Sequence, residues 1–592
     1  MLNKLWRNTV FAARMVAVLR QVKDLQPEST VTIADDFEAT VDQYPDKPAF
    51  IFEGETTTYA QFDARANRIA HWAIAQGYKR GDCVALVLEN CPDFPAVWFG
   101  LAKIGVITAL INTNLEGAGL AHCISIVDSK AIIASGVQAE RVKMILPDLS
   151  TPPALWDFDG VAGDNLELAL ADQSAARPDP SLREGLLGGD IALFIYTSGT
   201  TGLPKAAKIT QMRVRMTARA SKFLADINSS DRVYNVLPLY HMTGGCMGLA
   251  GPLTYGATLI LRRKLSVSGF WDDVTDHEAN KFVYIGELCR YLINAAPHPK
   301  ERAHRLEMGY GNGLRGEVWR PFVERFDVGS MREFYGSTEG NVSFFNFDGT
   351  IGAIGQLPEW AGRKMGMAIV KFDVVEEQPV RGADGFCQRA GIDEAGEVLG
   401  RIGTSSREDF GGYHDKKATE AKILTDVFEK GDRWFRTGDL IRRDAQDYIY
   451  FIDRIGDTFR WKGENVATNE VSDAISTYPG VELANVYGVE VPHAEGRAGM
   501  VAMTVSDQFD MSGLSAHLAK HLPSYAVPMF VRIQPEAETT GTFKFRKVDL
   551  VKEGFDLDAV NDPLWFLEPG ANGFVEFASA HAQRLANGDY RL

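Results

Sequence analysis

Cysteine is scarce in this chain, with six residues among 592: Cys83, Cys91, Cys123, Cys246, Cys289 and Cys387. None form a Cys-x-x-Cys pair or a zinc-type cluster with histidine, so scattered reduced thiols of a cytosolic protein are expected. Long apolar runs are also missing. No stretch reaches the roughly 18–20 residues needed to span a bilayer. An excess of basic charge is missing as well. The net charge is -16, which argues against general nucleic-acid binding, because that requires a concentrated basic face. A few local cations suffice for ATP, so nucleotide binding is not excluded. No repeat or low-complexity tract is visible.

What is present is an ordinary globular composition, 45% apolar and 24% charged. A chain of this length buries a large core and divides into more than one domain. Near the N-terminus, Lys4, Arg7, Arg14, Arg20 and Lys23 punctuate an apolar pattern that includes Trp6, Phe11 and Met15. The apolar block is broken by Arg14 and lacks a clean cleavage site, so a signal peptide is not expected. Two readings stand for residues 1–25: a basic amphipathic helix lying on an anionic membrane surface, or a helix packed on the main body.

From about residue 34 to 135 helix and strand patterns alternate. Phe62 to Gln76 carries Phe62, Ala66, Ile69 and Ala73 at helical spacing, with Gly77 past its end. Cys83 to Leu88 is a short apolar run suited to a buried strand. Phe94 to Ile104 is a further helix and Val106 to Ile111 a further strand. This alternation argues for a mostly parallel sheet with helices on its faces. Residues 145–190, rich in Pro, Asp and Gly, are expected as an irregular connection. Ile191 to Tyr196 is a strand running into a Gly/Thr/Ser loop. A domain boundary is expected near residue 455, where Gly456 permits the backbone changes of a hinge.

That loop, Thr197-Ser198-Gly199-Thr200-Thr201-Gly202-Leu203-Pro204-Lys205, is the strongest signal for chemistry. Its glycines let the backbone fold close to an anion and turn N–H groups inward. Four hydroxyls add donors, and Lys205 adds a point charge. It is not a Walker A loop, because Lys205 is flanked by Pro204 and Ala206. Glu339, after a Ser-Thr pair in a Gly-flanked turn, suits Mg²⁺, which takes few protein carboxylates beside phosphate oxygens and water; a solvated loop acid is the alternative. Asp439, between Gly438 and Leu440, can accept both hydroxyls of a ribose. Gly311-Asn312-Gly313-Leu314-Arg315-Gly316 matches a dinucleotide fingerprint, with Glu333 about 20 residues on. The preceding residues make a poor strand, however, and no helical pattern begins at the third glycine.

Four ordered segments resemble the adenylate-forming superfamily of acyl-CoA synthetases, luciferases and peptide-synthetase adenylation domains. They are Tyr196 to Lys205, Glu333 to Gly340, Arg433 to Leu440, and Asp453-Arg454 through Val466. Thr540-Gly541-Thr542-Phe543-Lys544 is similar to that superfamily's C-terminal lysine motif. The run Phe459 to Val466, the Lys544 motif and the tail Asp562 to Leu567 are similar to the fatty acid transport protein/very-long-chain acyl-CoA synthetase family.

The resemblance implies an α/β chain. A large N-terminal AMP-binding domain, 31–455, with mixed and parallel sheets follows a basic segment, 1–30. A small mobile α+β domain, 456–592, carries Lys544. It implies ATP and coenzyme A as substrates, Mg²⁺ on Glu339, and a long-chain fatty acid as the acid. Thr338 contacts the α-phosphate. Gly311, Asn312, Gly313, Tyr335 and Gly336 face adenine, and Asp439 with Arg454 holds the ribose. Lys544 bridges the acyl carboxylate and α-phosphate, with Arg546 and Lys547 as competitors. Rotation at Gly456 and Asp457 then brings Lys462 and Gly463 to form the coenzyme A tunnel. His241 is a candidate near the acyl carboxylate or a packed loop histidine. The location implied is cytoplasmic, with peripheral contact at the inner face of the membrane. An acyl-AMP ligase serving a carrier protein, or an uptake component acting by acyl trapping, is the alternative.

Overall fold

The computed structural model describes residues 2–197, 203–374, 376–403, 405, 408–462, 464–494, 496–537 and 547–590. The chain forms two compact units. The first takes Met1–Gly366, Gly400–Thr425 and Arg433–Phe435; the second takes Met367–Leu399, Asp426–Asp432 and Arg436–Leu592.

The first unit holds a seven-stranded and an eight-stranded sheet. In the seven-stranded sheet the order runs from Asp164–Asn165 through Ala154–Asp157, Ala131–Ala134, Cys83–Val87, Ile107–Leu110 and Ile191–Thr197 to Lys205–Thr210. All neighbours are parallel except the last pair. Cys83–Val87 shows why its sequence is an unbroken apolar run. Val84 and Leu86 enter one apolar cluster, while Cys83, Ala85 and Val87 enter another on the opposite face. A strand covered on both sides cannot alternate with polar residues.

The helix expected from Phe62 begins slightly earlier, as Tyr59–Ala75. Thr58 caps it, its hydroxyl accepting the Gln61 N–H at 3.2 Å while the Gln61 amide returns to the Thr58 N–H. Phe62, Ala66, Ile69 and Ala73 are buried as their spacing requires. Each large apolar chain so buried contributes about 1.5–3 kcal/mol. Asp93–Ala102 and Ile107–Leu110 also agree with the sequence patterns.

Residues 145–190 differ from expectation. Ala154–Asp157 and Asp164–Asn165 extend the sheet, and Leu166–Ala171 is a helix. The polar residues that suggested irregularity serve a tight turn. Buried Asp157 accepts the N–H groups of Asp159, Val161 and Ala162.

The N-terminal helix spans Leu2–Gln21. Phe11 and Val18 are buried, whereas Arg14, Val16 and Arg20 are exposed. Phe11 meets Trp360 edge-on at 6.3 Å, and Arg14 lies over the Phe347 ring. One apolar side of this helix is therefore already packed on the first unit.

In the second unit a five-stranded mixed sheet combines Val481–Glu490, Arg497–Val505, Phe530–Ile533, Leu564–Leu567 and Phe574–Glu576. Val486, Val501, Phe530 and Phe566 share one apolar core with Val471, Ile475, Leu514 and Leu518. The last four come from the helices Thr468–Ser476 and Met511–His521. This is the α+β arrangement expected of the C-terminal region.

Candidate functional site

The phosphate-type loop is slung between paired strands. Thr197 ends one strand and faces Lys205 at the start of its antiparallel neighbour. Ser198, Gly199, Thr200, Thr201 and Gly202 lie outside the described residues. The Thr197 hydroxyl is buried and has no hydrogen-bond partner among the described residues, as fits a donor reserved for a ligand. Lys205 Nζ stands 5.5 Å from the centroid of the Tyr413 ring, within cation–π range.

Tyr413 was not visible as a site residue in the sequence. It is placed by the strand that leaves the loop. Ala207 bridges to Tyr413, the Lys208 N–H donates to Gly412, and the His414 N–H donates to Ala206. Buried Tyr413 then donates its hydroxyl to Glu339 Oε1 at 2.8 Å. Lys205 and Glu339, far apart in sequence, thus share one aromatic neighbour. The signal that would have found it is Gly411-Gly412-Tyr413. A Gly pair between two aromatics, Phe410 and Tyr413, marks a turn.

Thr338 and Glu339 sit in a short turn after the strand Ser330–Gly336. Arg213, on the first turn of the helix Gln211–Ala225, donates from Nη2 to the Ser337 carbonyl at 2.8 Å. Burial lowers the Arg213 pKa, and the Glu339 and Asp409 charges oppose that shift. Among the described residues no group of three His, Cys, Asp or Glu is gathered to hold a metal. Glu339, a single buried carboxylate that shares Tyr413 with Lys205, is instead a donor that fits Mg²⁺ held mainly by oxygens from elsewhere.

The Gly311–Gly316 segment requires a correction. A strand, Met308–Asn312, does precede it, and a helix, Gly316–Phe326, does begin at the third glycine. The helix was hidden because Pro321 stands inside it and its first residue is Gly. The fingerprint nevertheless fails on chemistry. The Glu333 carboxylate accepts the N–H groups of Gly313 and Leu314, the latter at 3.1 Å, and the Tyr284 hydroxyl at 2.7 Å. The amides that a pyrophosphate would need at this turn are taken. Burial pushes the Glu333 carboxyl up to about 8, against the pull of these donors. Gly311 is required by close packing, because a Cβ there would lie 1.9 Å from the Tyr284 carbonyl oxygen. Asn312 Oδ1 accepts the Thr243 hydroxyl at 3.1 Å. Tyr335 stacks on Phe344, its cross-strand neighbour, at 5.5 Å. Gly336 ends that strand.

His241 directly precedes a nine-residue π-helix, Met242–Ala250, without a side-chain capping bond. Its ring lies 4.5 Å from that of Tyr240. π-helix is rare, and its usual single-turn form is frequent at functional sites. The Asn235 amide donates to the Gly244 carbonyl at 3.0 Å and helps to hold this turn.

The remaining candidates belong to the second unit. Asp439 is the register partner of Arg454 across the strands Arg433–Arg443 and Tyr448–Arg454. Their nearest charged atoms are 3.6 Å apart, with Asp439 buried and Arg454 half exposed. Thr437 donates to the Val398 carbonyl at 2.8 Å and accepts the Asp439 N–H at 3.2 Å. Buried Glu397, unremarked in the sequence, accepts Arg436 with both carboxylate oxygens. Gly456 has a φ of +92° with open space where a Cβ would be. Asp457 pairs with Lys547. Lys462 holds a left-handed φ of +52°. Gly463, Lys544 and Arg546 lie outside the described residues.

The AMP-binding enzyme family matches residues 37–385, and the AMP-binding enzyme C-terminal domain matches residues 470–544. Long-chain fatty acid transport protein 6 of Mus musculus is 39% identical, covering 95% of this chain and 91% of its own. Long-chain fatty acid transport protein 2 of Rattus norvegicus is 40% identical, covering 95% and 92%. Among solved structures, a benzoate CoA ligase from Burkholderia xenovorans LB400 superposes with a TM-score of 0.73 at 21% identity, covering 88% of this chain and 100% of its own. ATP-bound MatB from Rhodopseudomonas palustris also gives a TM-score of 0.73, at 22% identity, covering 89% and 100%.

Proposed function

Because the chain belongs to the AMP-binding enzyme family, together with the long-chain fatty acid transport proteins, we propose that it is an ATP-dependent ligase joining a long-chain fatty acid to coenzyme A. In the first half-reaction a carboxylate oxygen of the acid attacks the α-phosphorus of ATP. The bond to pyrophosphate breaks and the acyl-adenylate forms. In the second, the thiol of coenzyme A attacks the acyl carbon and AMP leaves.

The observation that carries this reading is the Lys205–Tyr413–Glu339 chain. It sets a cation from the phosphate-type loop and a buried carboxylate against one side chain, as a metal–triphosphate requires. The attacking carboxylate is ionised near neutral pH, so the first step needs no general base. It needs neutralisation of two anions that must meet. Lys205 and the hydroxyls from Thr197 to Thr201 serve the phosphates, and Thr338 serves the α-phosphate. Glu339 holds Mg²⁺, which supplies further neutralisation when bound. Asp439 and Arg454 take the ribose, and the Gly311–Gly313 turn with Tyr335 faces adenine. Lys544 serves adenylation, and Lys462 and Gly463 serve thiolysis after motion at Gly456. His241 lies beside the acyl carboxylate.

The relatives' printed name raises a second reading, uptake of fatty acid by trapping it as a thioester. Among the described residues no helix is long and apolar enough to cross a membrane. Trapping fits a protein at the inner face of the membrane, touching it through residues 1–25. The deciding experiment is acyl-CoA formation, measured by mass over acids from short to very long chain. ATP-dependent acyl-CoA with long-chain acids is expected. Release of acyl-adenylate without acyl-CoA would point to a carrier-protein ligase, and fatty-acid flux into liposomes without ATP would point to transport.

A further inference from the structure

Glu339 has two carboxylate oxygens, and the fold treats them differently. Oε1 receives the Tyr413 hydroxyl at 2.8 Å. No described side chain takes Oε2 within hydrogen-bond distance. The donor is held firmly. Tyr413 is seated by the backbone bonds along Lys205–Thr210 already described, and by Thr419. The Thr419 hydroxyl oxygen accepts the Tyr413 N–H at 2.9 Å and lies 3.1 Å from its carbonyl oxygen. Gly412 precedes it at a φ of +62°, and a Cβ there would press on the Thr419 side chain. The acceptor is held as well. Arg213 fixes the carbonyl of Ser337, and a Cβ on Gly340 would strike the Phe435 ring. Both partners of the bond are buried.

We infer that Tyr413 is a positioning residue that makes Glu339 a one-oxygen ligand and thereby selects Mg²⁺ over larger divalent cations. This rests on the reading of Glu339 as the Mg²⁺ carboxylate. The physical argument has two parts. A carboxylate with one oxygen occupied by a phenol donor has a fixed plane and offers its other oxygen. Mg²⁺ demands near-ideal octahedral geometry with short bonds, so a single aimed oxygen suits it. Ca²⁺ accepts two-oxygen carboxylates and irregular shells, so the same constraint handicaps it. Hydrogen-bonded partners of a ligating group set its orientation, and their loss typically costs about 10–100-fold in metal affinity.

The test uses the full chain loaded with α,β-methylene-ATP, whose α–β linkage is not cleaved and which therefore cannot transfer its adenylyl group. Bound Mn²⁺ is counted from the electron paramagnetic resonance signal of the free ion, and Mg²⁺ and Ca²⁺ are ranked by displacement. Tyr413→Phe keeps the ring under Lys205 and deletes only the donor. It is expected to weaken Mg²⁺ by about tenfold or more, to weaken Ca²⁺ less, and to narrow the preference between them. Thr419→Val keeps the phenol but loosens its seat, and is expected to give a smaller loss in the same direction. Unchanged Mg²⁺ affinity and an unchanged Mg²⁺/Ca²⁺ ratio in both variants would overturn the inference. Glu339→Gln separates the two levels. If it abolishes Mn²⁺ binding while both other variants bind normally, only the role of Tyr413 falls. If it leaves Mn²⁺ binding intact, the reading of Glu339 falls and the inference falls with it.

Discussion

Lys547 Nζ lies 3.0 Å from Asp457 Oδ2, and the same nitrogen lies 3.0 Å from the Thr468 hydroxyl. A lysine held on two sides must break an ion pair before it can serve a passing anion. Lys544→Ala is therefore expected to abolish adenylate formation and largely spare thiolysis of supplied acyl-AMP. Lys547→Ala is expected to show the smaller adenylation defect. Pyrophosphate exchange and acyl-AMP consumption measure the two steps separately. A larger exchange defect in Lys547→Ala would move the role to Lys547.

Glu333 gives a pH prediction. Burial raises its folded pKa to about 8, above its ordinary carboxylate value. Its contribution to stability is then complete below the unfolded pKa and is lost as pH rises through the folded one. Glu333→Gln cannot titrate. The stability difference, wild type minus variant, should fall between about pH 4.5 and pH 8 and level off above. Glu333→Ala should be worse at every pH, because it leaves the Gly313 and Leu314 N–H groups without an acceptor, at about 1–3 kcal/mol each. Urea titrations across that pH range would show it; a flat difference would mean that Glu333 ionises normally.

Asp439 and Arg454 predict a sugar-specific defect. Losing a hydrogen bond to a charged group costs about 1.5–3 kcal/mol, or roughly 10–100-fold. Asp439→Ala should raise the KM for ATP on that scale. It should also erase most of the enzyme's preference for ATP over 2′,3′-dideoxy-ATP. Retained discrimination between these two nucleotides would place the ribose elsewhere.

Gly311 is a steric prediction. In the parallel register it pairs with Tyr284, and any Cβ meets the Tyr284 carbonyl oxygen at 1.9 Å. Gly311→Ala must push two neighbouring strands apart, at about 1–3 kcal/mol or more. A lowered melting temperature with weaker ATP binding is expected. An unchanged melting temperature would show that the strands yield freely at this point.

Much of the fold was legible because local rules carry it. The Tyr59–Ala75 helix announces its buried face by spacing and its start by Thr58 and Gln61. Cys83–Val87 announces burial on both faces by having no polar residue. The helix Gly316–Phe326 was not legible, because Gly and Pro321 mask its pattern. The strand Ala154–Asp157 was missed because acids beside it looked like loop. They are turn acceptors whose partners lie a few residues on, and only the folded turn shows the pairing.

The candidate site divides in the same way. The sequence alone determined the chemical types: a hydroxyl-rich loop ending in Lys205, a carboxylate at Glu339, another at Asp439, and a basic motif at Lys544. Those types are covalent facts, and their spacing along the chain carries the resemblance. Tertiary structure decided their company. It set Tyr413 between Lys205 and Glu339 through backbone pairing more than 200 residues apart. It also spent the Gly313 and Leu314 amides on Glu333. A local turn signal such as Gly411-Gly412 marks where the chain bends but not what it meets, because that depends on which strands lie side by side, and long-range pairing is settled by the burial of whole sheets and not by neighbours in sequence.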